Sequence, residues 1–180
     1  MGNTASGEMP TNVRRMMLVE PNKDITKAQL KVEEVPMPVP KAGEVLIKVC
    51  AAPVNPSDYG EWTIETPAGE EAKAKPVGKE GSGVVVASGG GVYANSIVGC
   101  KVGFVTNVKG QGSYAEFTVV NALKGVFPLP ETVQLEDAAS HFVNPYTAYG
   151  FVDTVRARHR SAKHKGALVH TAAASQLGQM

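Results

Sequence analysis

The chain has 180 residues, enough for one domain or for one domain with part of a second. Its 43% hydrophobic and 19% charged residues are those of an ordinary globular protein and exclude wholesale disorder. Eighteen basic against seventeen acidic side chains leave a net charge of +1, so composition gives no electrostatic reason to expect nucleic acid or an anionic membrane as partner.

The first six residues, MGNTAS, match the N-myristoylation pattern at Gly2, and a disordered polar tail ending near Asn12 explains them equally well. Residues 16–20 and 29–35 then read as strands around a Pro-Asn-Lys-Asp turn. The proline-rich stretch 36–40 is expected to be a connector, because proline has no amide donor for a sheet. Residues 44–51 alternate as a β-branched strand, and Asn55-Pro-Ser-Asp58 is a turn able to cap a short helix. The polar stretch 63–75 reads as a surface loop. Further strands are predicted at 83–87, 101–106 and 115–120, with Ser88-Gly-Gly-Gly91 as a tight turn. Many short strands separated by glycine turns point to a β-barrel or sandwich.

At Glu136 the pattern changes. Residues 136–160 read as two helices broken at Asn144-Pro145, followed by the basic stretch 156–165 and an apolar strand at 166–169. The basic stretch fits a solvated face offsetting a helix dipole, with a phosphate or nucleic-acid patch as the competing reading. The chain closes on HTAAASQLGQM, a small-residue turn in which only the last position of a G-x-G-x-x-G pattern, Gly178, is glycine. No window approaches the roughly 18 apolar residues of a spanning helix and no hydrophobic signal core opens the chain. The expectation is therefore a cytoplasmic protein, with a mitochondrial or lipid-anchored one as alternatives. Cys50 and Cys100 follow no metal-ligand spacing and sit beside valine-rich runs, as buried reduced thiols do.

Six stretches gain specificity from their order: Val54-Asn-Pro-Ser-Asp58, Gly78-x-Glu80-x-x-Gly83, Gly99-x-Lys101, Gly112-Ser-Tyr-Ala-Glu116, Asn144-Pro-x-Thr-Ala-Tyr149 and Ala172 to Gly178. From about Arg15 onward the chain resembles the medium-chain dehydrogenase/reductase superfamily. Asn-Pro-Ser-Asp and Asn-Pro-x-Thr-Ala-Tyr look most like its quinone oxidoreductases and mitochondrial-type 2-enoyl thioester reductases.

That resemblance implies a β-rich α+β fold: a GroES-like β-barrel substrate domain, then the first strand and turn of a truncated Rossmann domain. The implied division is a tail at 1–14, the substrate domain at 15–143, and a linking helix with the start of the cofactor domain at 144–180. It implies a parent that uses NADP or NAD to reduce a conjugated carbonyl (a quinone, enone or 2-enoyl thioester) and forms a homodimer. The alternative is a naturally short, noncatalytic binding module. Superfamily members are about twice this long, so the 180 residues are expected to be an N-terminal fragment that binds dinucleotide weakly or not at all.

By the same resemblance Asn55 and Asp58 belong to the cleft floor, with Tyr59 a nearby aromatic. Asn144 and Thr147 belong to the segment against the nicotinamide, and Ala173, Ser175 and Gly178 to the pyrophosphate turn. Glu80 is expected to hold the cleft together rather than perform acid chemistry. The zinc-dependent branch has a Cys near Asn55 and a His where Lys79 stands, so no zinc is expected. The tyrosine that thioester reductases use as a donor falls at Thr66 here, which leaves the proton donor open.

Overall fold

The computed structural model describes residues 9–64, 67, 69, 73–161, 169 and 171–180. Strand β1 (Asn12–Glu20) pairs antiparallel with β2 (Gln29–Pro36) on one side and with β4 (Lys75–Pro76) on the other. A single 3-10 turn at Ile25–Lys27 joins the first two strands; its start is fixed by Asp24, whose carboxylate accepts the Thr26 N–H at 3.1 Å. The second sheet is wholly antiparallel. It runs β7 (Phe117–Asn121), β3 (Glu44–Ala51), β5 (Glu80–Ser88), β6 (Lys101–Val105), β8 (Val126–Pro128).

The stretch just before β7 stitches the sheets together. Met16 N–H donates to the Tyr114 carbonyl at 2.8 Å, Glu116 N–H to Arg14 at 3.0 Å, and Val49 N–H to Glu116 at 3.0 Å. One short segment thus serves β1 and β3 at once, which satisfies edge groups that an open pair of sheets would leave unpaired.

The core follows from the β-branched runs. Val45, Ile47, Val85, Val102, Phe104, Val120 and Val126 form one buried cluster, joined by Ala94 from helix α2 (Val92–Ser96), by Ile97 just after it and by Ala122 from α3 (Ala122–Gly125). Leu46, Ala87 and Val119 form a second cluster on the opposite face of the sheet. Burial on both faces explains why Val45, Leu46 and Ile47 are consecutive apolar residues rather than an alternating set.

Two glycines of the Gly78-x-Glu80-x-x-Gly83 stretch have steric reasons. Gly78 has φ +94°, and a Cβ there would collide with Ser113 and Tyr114. Gly83 faces Lys48 and Ile47 across the β3–β5 ladder, and a Cβ would fall on the Lys48 carbonyl.

The remaining helices are α1 (Pro56–Trp62), α4 (Leu135–Ala138), α5 (Val143–Ser161) and α6 (Gln176–Gln179). The architecture is the expected β-rich α+β fold with a barrel, and several local expectations need adjustment. β1 begins at Asn12, inside the stretch read as a tail, because pairing with β2 extends to Asn12↔Pro36. Pro36 ends a strand instead of lying outside it; β2 is an edge strand, where a missing donor costs little. The loop expected at 63–75 ends in β4, held by Leu18↔Lys75, while residues 65, 66, 68 and 70–72 lie outside the described residues. The helical break precedes Asn144-Pro145, which sit in the first turn of α5. Cys50 is exposed rather than buried, its thiol 3.6 Å from Glu136. The Gly2 acylation motif, Thr66 and the strand expected at 166–169, apart from Val169, lie outside the described residues.

Candidate active-site cleft

The cleft is built around a buried carboxylate. Glu80 opens β5 with 0% exposure, and such a charge needs several donors to be tolerated. It has three. Asn55 Nδ2 donates to Oε1 at 2.8 Å, while the Phe142 and Val143 N–H groups donate to Oε2 at 3.1 and 2.7 Å. Phe142 immediately precedes α5 and Val143 is its first residue, so neither N–H has a partner within the helix. A carboxylate at that end also complements the helix dipole, and Pro145, having no N–H, leaves nothing unsatisfied in its own position. Glu80 therefore holds the start of α5 against the barrel, as its sequence context led us to expect.

Asn55 and Asp58 are locked into the same arrangement. Asn55 precedes α1 and Asp58 lies in its first turn, with exposures of 4% and 2%. Asp58 Oδ2 accepts the Asn55 N–H at 2.8 Å, which frees the Asn55 carboxamide to reach Glu80. Asp58 Oδ1 and the Ser57 hydroxyl are buried without a hydrogen-bond partner among the described residues. Tyr114 closes the other side, its hydroxyl donating to the Pro53 carbonyl at 3.0 Å. Burial, reinforced by the negative charges of Asp58 and Glu80, pushes its phenol well above the ordinary value of 10.0.

Beside this buried group lies a cleft of about 470 Å³, walled by α1, the strand entry at 76–79, Thr106 and Val143. Ser57 and Asp58 line it, although the Ser57 hydroxyl and Asp58 Oδ1 are themselves buried behind its surface. The charged residues at its mouth are Glu61 and Lys79, whose ammonium lies 2.8 Å from Glu61 Oε1; Lys75 reaches the other oxygen at 3.4 Å. Partial burial pushes the Glu61 carboxyl up, but the two lysines together outweigh it and hold the group below its usual value.

Of the sequence-predicted site residues, Asn55 and Asp58 are thus brought together with Glu80. Tyr59 is exposed and does not line the cleft. Asn144 and Thr147 are placed one and four positions beyond Val143 on α5, and the Thr147 hydroxyl donates back to the Val143 carbonyl at 2.6 Å. Ala173 and Ser175 lie in a turn and Gly178 in α6, none of them in the cleft wall: Ser175 Oγ accepts the Gly178 N–H at 3.0 Å, and α6 packs against α5. Sequence reasoning missed Glu61, Thr106 and Gln111, which line the cleft from ordinary polar or helical contexts. The i, i+3 placement of Asp58 and Glu61 on one helix was the available signal.

Residues 41–131 match the alcohol dehydrogenase GroES-like domain family. The chain is 35% identical over 112 residues to the mitochondrial enoyl-(acyl-carrier-protein) reductase of Caenorhabditis elegans, covering 61% of this chain and 30% of that protein. It is 29% identical over 120 residues to a zinc-type alcohol dehydrogenase-like protein of Schizosaccharomyces pombe, covering 67% of this chain and 36% of that one. Among solved structures, a Mesorhizobium loti protein assigned as an NADPH:quinone reductase superposes with a TM-score of 0.78 at 34% identity, covering 96% of this chain and 51% of that one. The chain thus spans about half, or less, of the length of these relatives. With its barrel, its buried glutamate and its matched residues, the chain belongs to the alcohol dehydrogenase GroES-like domain family, within the medium-chain dehydrogenase/reductase superfamily.

Proposed function

We propose that this chain supplies the substrate-side walls of an NAD(P)H-dependent reductase acting on a conjugated carbonyl, either a quinone, an enone or a 2-enoyl thioester. The cleft of about 470 Å³ carries the reading: it has a partly apolar wall, a floor fixed by Asn55, Asp58 and Glu80, and a cation in its lining. The likeness to a protein assigned as an NADPH:quinone reductase and to an enoyl reductase supports the substrate class.

A nicotinamide cofactor, when bound, supplies the hydride. In this reading Ser57 and Asp58 of the cleft wall and Thr147, whose oxygen keeps its acceptor lone pairs, would face its reactive end. The turn with Ala173, Ser175 and Gly178 takes the pyrophosphate in this reading. Asn55 and Glu80 fix the floor, so that a substrate meets a preorganised wall. Lys79 offers an ammonium to the oxygen on which negative charge develops, and excluding water from the apolar side strengthens that attraction. Tyr59 is an aromatic at the rim of α1 rather than a donor in the cleft.

We place no zinc in this mechanism. At the two positions where the zinc-dependent branch carries ligands the chain has Asn55, whose amide is spent on Glu80, and Lys79, ion-paired with Glu61. Neither fits a zinc donor set. Cytoplasmic location and a homodimeric assembly are further parts of the proposal.

The reading frame that carries this chain, expressed at its full length, should oxidise NADPH or NADH in the presence of a quinone or an enoyl thioester. Absence of oxidation with either cofactor and either acceptor class overturns the reading.

A further inference from the structure

The consecutive residues Arg14 and Arg15 stand on opposite faces of β1 and meet different fates. Arg14 faces outward and has a carboxylate partner: Glu116 Oε1 accepts from its Nε at 3.0 Å and its Nη2 at 2.6 Å, while Oε2 accepts the Arg14 N–H at 2.7 Å. Arg15 lies on the inward face, between Val13 at 2% and Met17 at 4% exposure. It makes no ion pair among the described residues; Glu33, directly across the β1–β2 ladder, does not come within salt-bridge distance. Its Nη1 reaches the Gly110 carbonyl at 3.5 Å, and its Nε is buried without an acceptor.

A cavity of about 280 Å³ opens beside Arg15. Val13, Val35, Pro36, Pro38 and Phe117 make its apolar wall, and the loop 110–112 closes one side. Among the described residues, Arg15 is the one charged residue in the lining. Nη1 is turned to Gly110 and Nε is buried, so a ligand would meet Nη2 first and reach the Nε–Nη2 edge, the edge Arg14 presents to Glu116, only with a small shift of the side chain. That edge binds a carboxylate through two parallel hydrogen bonds.

We propose that this cavity is a binding site for a small carboxylate with a short apolar body, which does for Arg15 what Glu116 does for Arg14. A buried donor without an acceptor in a low-dielectric pocket calls for an anion. The volume, just below that of ordinary ligand pockets, sets the size. The apolar wall discriminates against bare inorganic anions. The site is separate from the reductase cleft, from which the loop 110–112 divides it, with Gln111 lining both.

Butyrate titrated into the 180-residue chain should perturb the Arg15 Nε–Hε resonance saturably, whereas the neutral isostere butyramide should not. Arg15→Gln should weaken butyrate binding roughly tenfold or more, Arg15→Lys should weaken it by losing the fork, and Arg14→Gln should leave it in place. The proposal is overturned if butyrate gives no saturable shift, if butyramide binds equally well, or if inorganic phosphate binds as tightly as butyrate. The butyramide and phosphate arms use the unmodified chain, so they decide the question even where an Arg15 variant fails to fold.

Discussion

Glu80 and Val143 are 63 positions apart in sequence, yet the Val143 N–H donates to the Glu80 carboxylate at 2.7 Å. This bond, with its neighbour from Phe142 and the Asn55 amide on the other oxygen, ties three elements to one side chain: the opening of β5, the start of α1 and the start of α5. Replacing Glu80 by Ala orphans three buried donors and should cost about 3–5 kcal/mol in urea unfolding. Glu80→Gln keeps an acceptor for α5 and can repair the Asn55 contact by an amide flip, so the loss should be about 1–2 kcal/mol. Equal losses for the two variants would show that burial of the side chain, not its donors, is what matters.

On the proposed reading, Lys79→Met should lower the rate of carbonyl reduction by roughly 10- to 1000-fold with little change in KM, as expected for a group that acts on developing charge. It should also change the acid dependence of stability. Glu61 is held below its ordinary carboxylate value, so its contribution is present at neutral pH and is lost as pH falls from about 4.5 through the lowered folded value. The stability gap between the original chain and Lys79→Met should therefore be widest near neutrality and close in acid. Thermal melts at a series of pH values check this, and a gap that persists in strong acid contradicts it.

Tyr114 titrates in the opposite sense. Its phenol is held well above 10.0, chiefly by burial, so the folded state keeps the proton that the unfolded state gives up. Stability should be unaffected by this group below about pH 10 and should fall as pH rises above it. Tyr114→Phe should remove that alkaline loss. At neutral pH the same variant forfeits the bond to Pro53, about 1–2 kcal/mol. Parallel alkaline slopes for the two proteins would refute the assignment.

Gly78→Ala should destabilise by roughly 2–4 kcal/mol, since it combines a positive φ with a collision against Ser113 and Tyr114. Gly43→Ala provides a contrast: φ is +80° but a Cβ there meets nothing within 4 Å. It should cost only the backbone strain, about 1 kcal/mol. A Gly43 variant as damaging as the Gly78 one would show that backbone strain, not the Tyr114 contact, dominates.

Much of the barrel was legible because strand formation follows from nearest neighbours. The β-branched run at Glu44–Ala51 and the glycine-flanked run around Val85 form the strands their composition implies. The short strand Val126–Pro128 and the helices at Val92–Ser96 and Ala122–Gly125 were not legible, since each is too short to show a period. The start of α5 was misplaced by one or two residues: proline marked the turn, but the donors that set the boundary are satisfied by Glu80.

The sequence alone determined the β-rich fold and the order of its motifs, because periodicity, proline and glycine act over a few residues. Only the tertiary structure decided which groups meet. That Asn55 reaches Glu80, that Lys79 pairs with Glu61, and that Arg15 faces inward without the partner Arg14 enjoys are consequences of register and sheet closure. A carboxylate or a guanidinium looks the same in the sequence whether water or a buried donor surrounds it. Its chemistry is set by the neighbours that packing brings, which here come from as far as 102 positions away, as with Arg14 and Glu116.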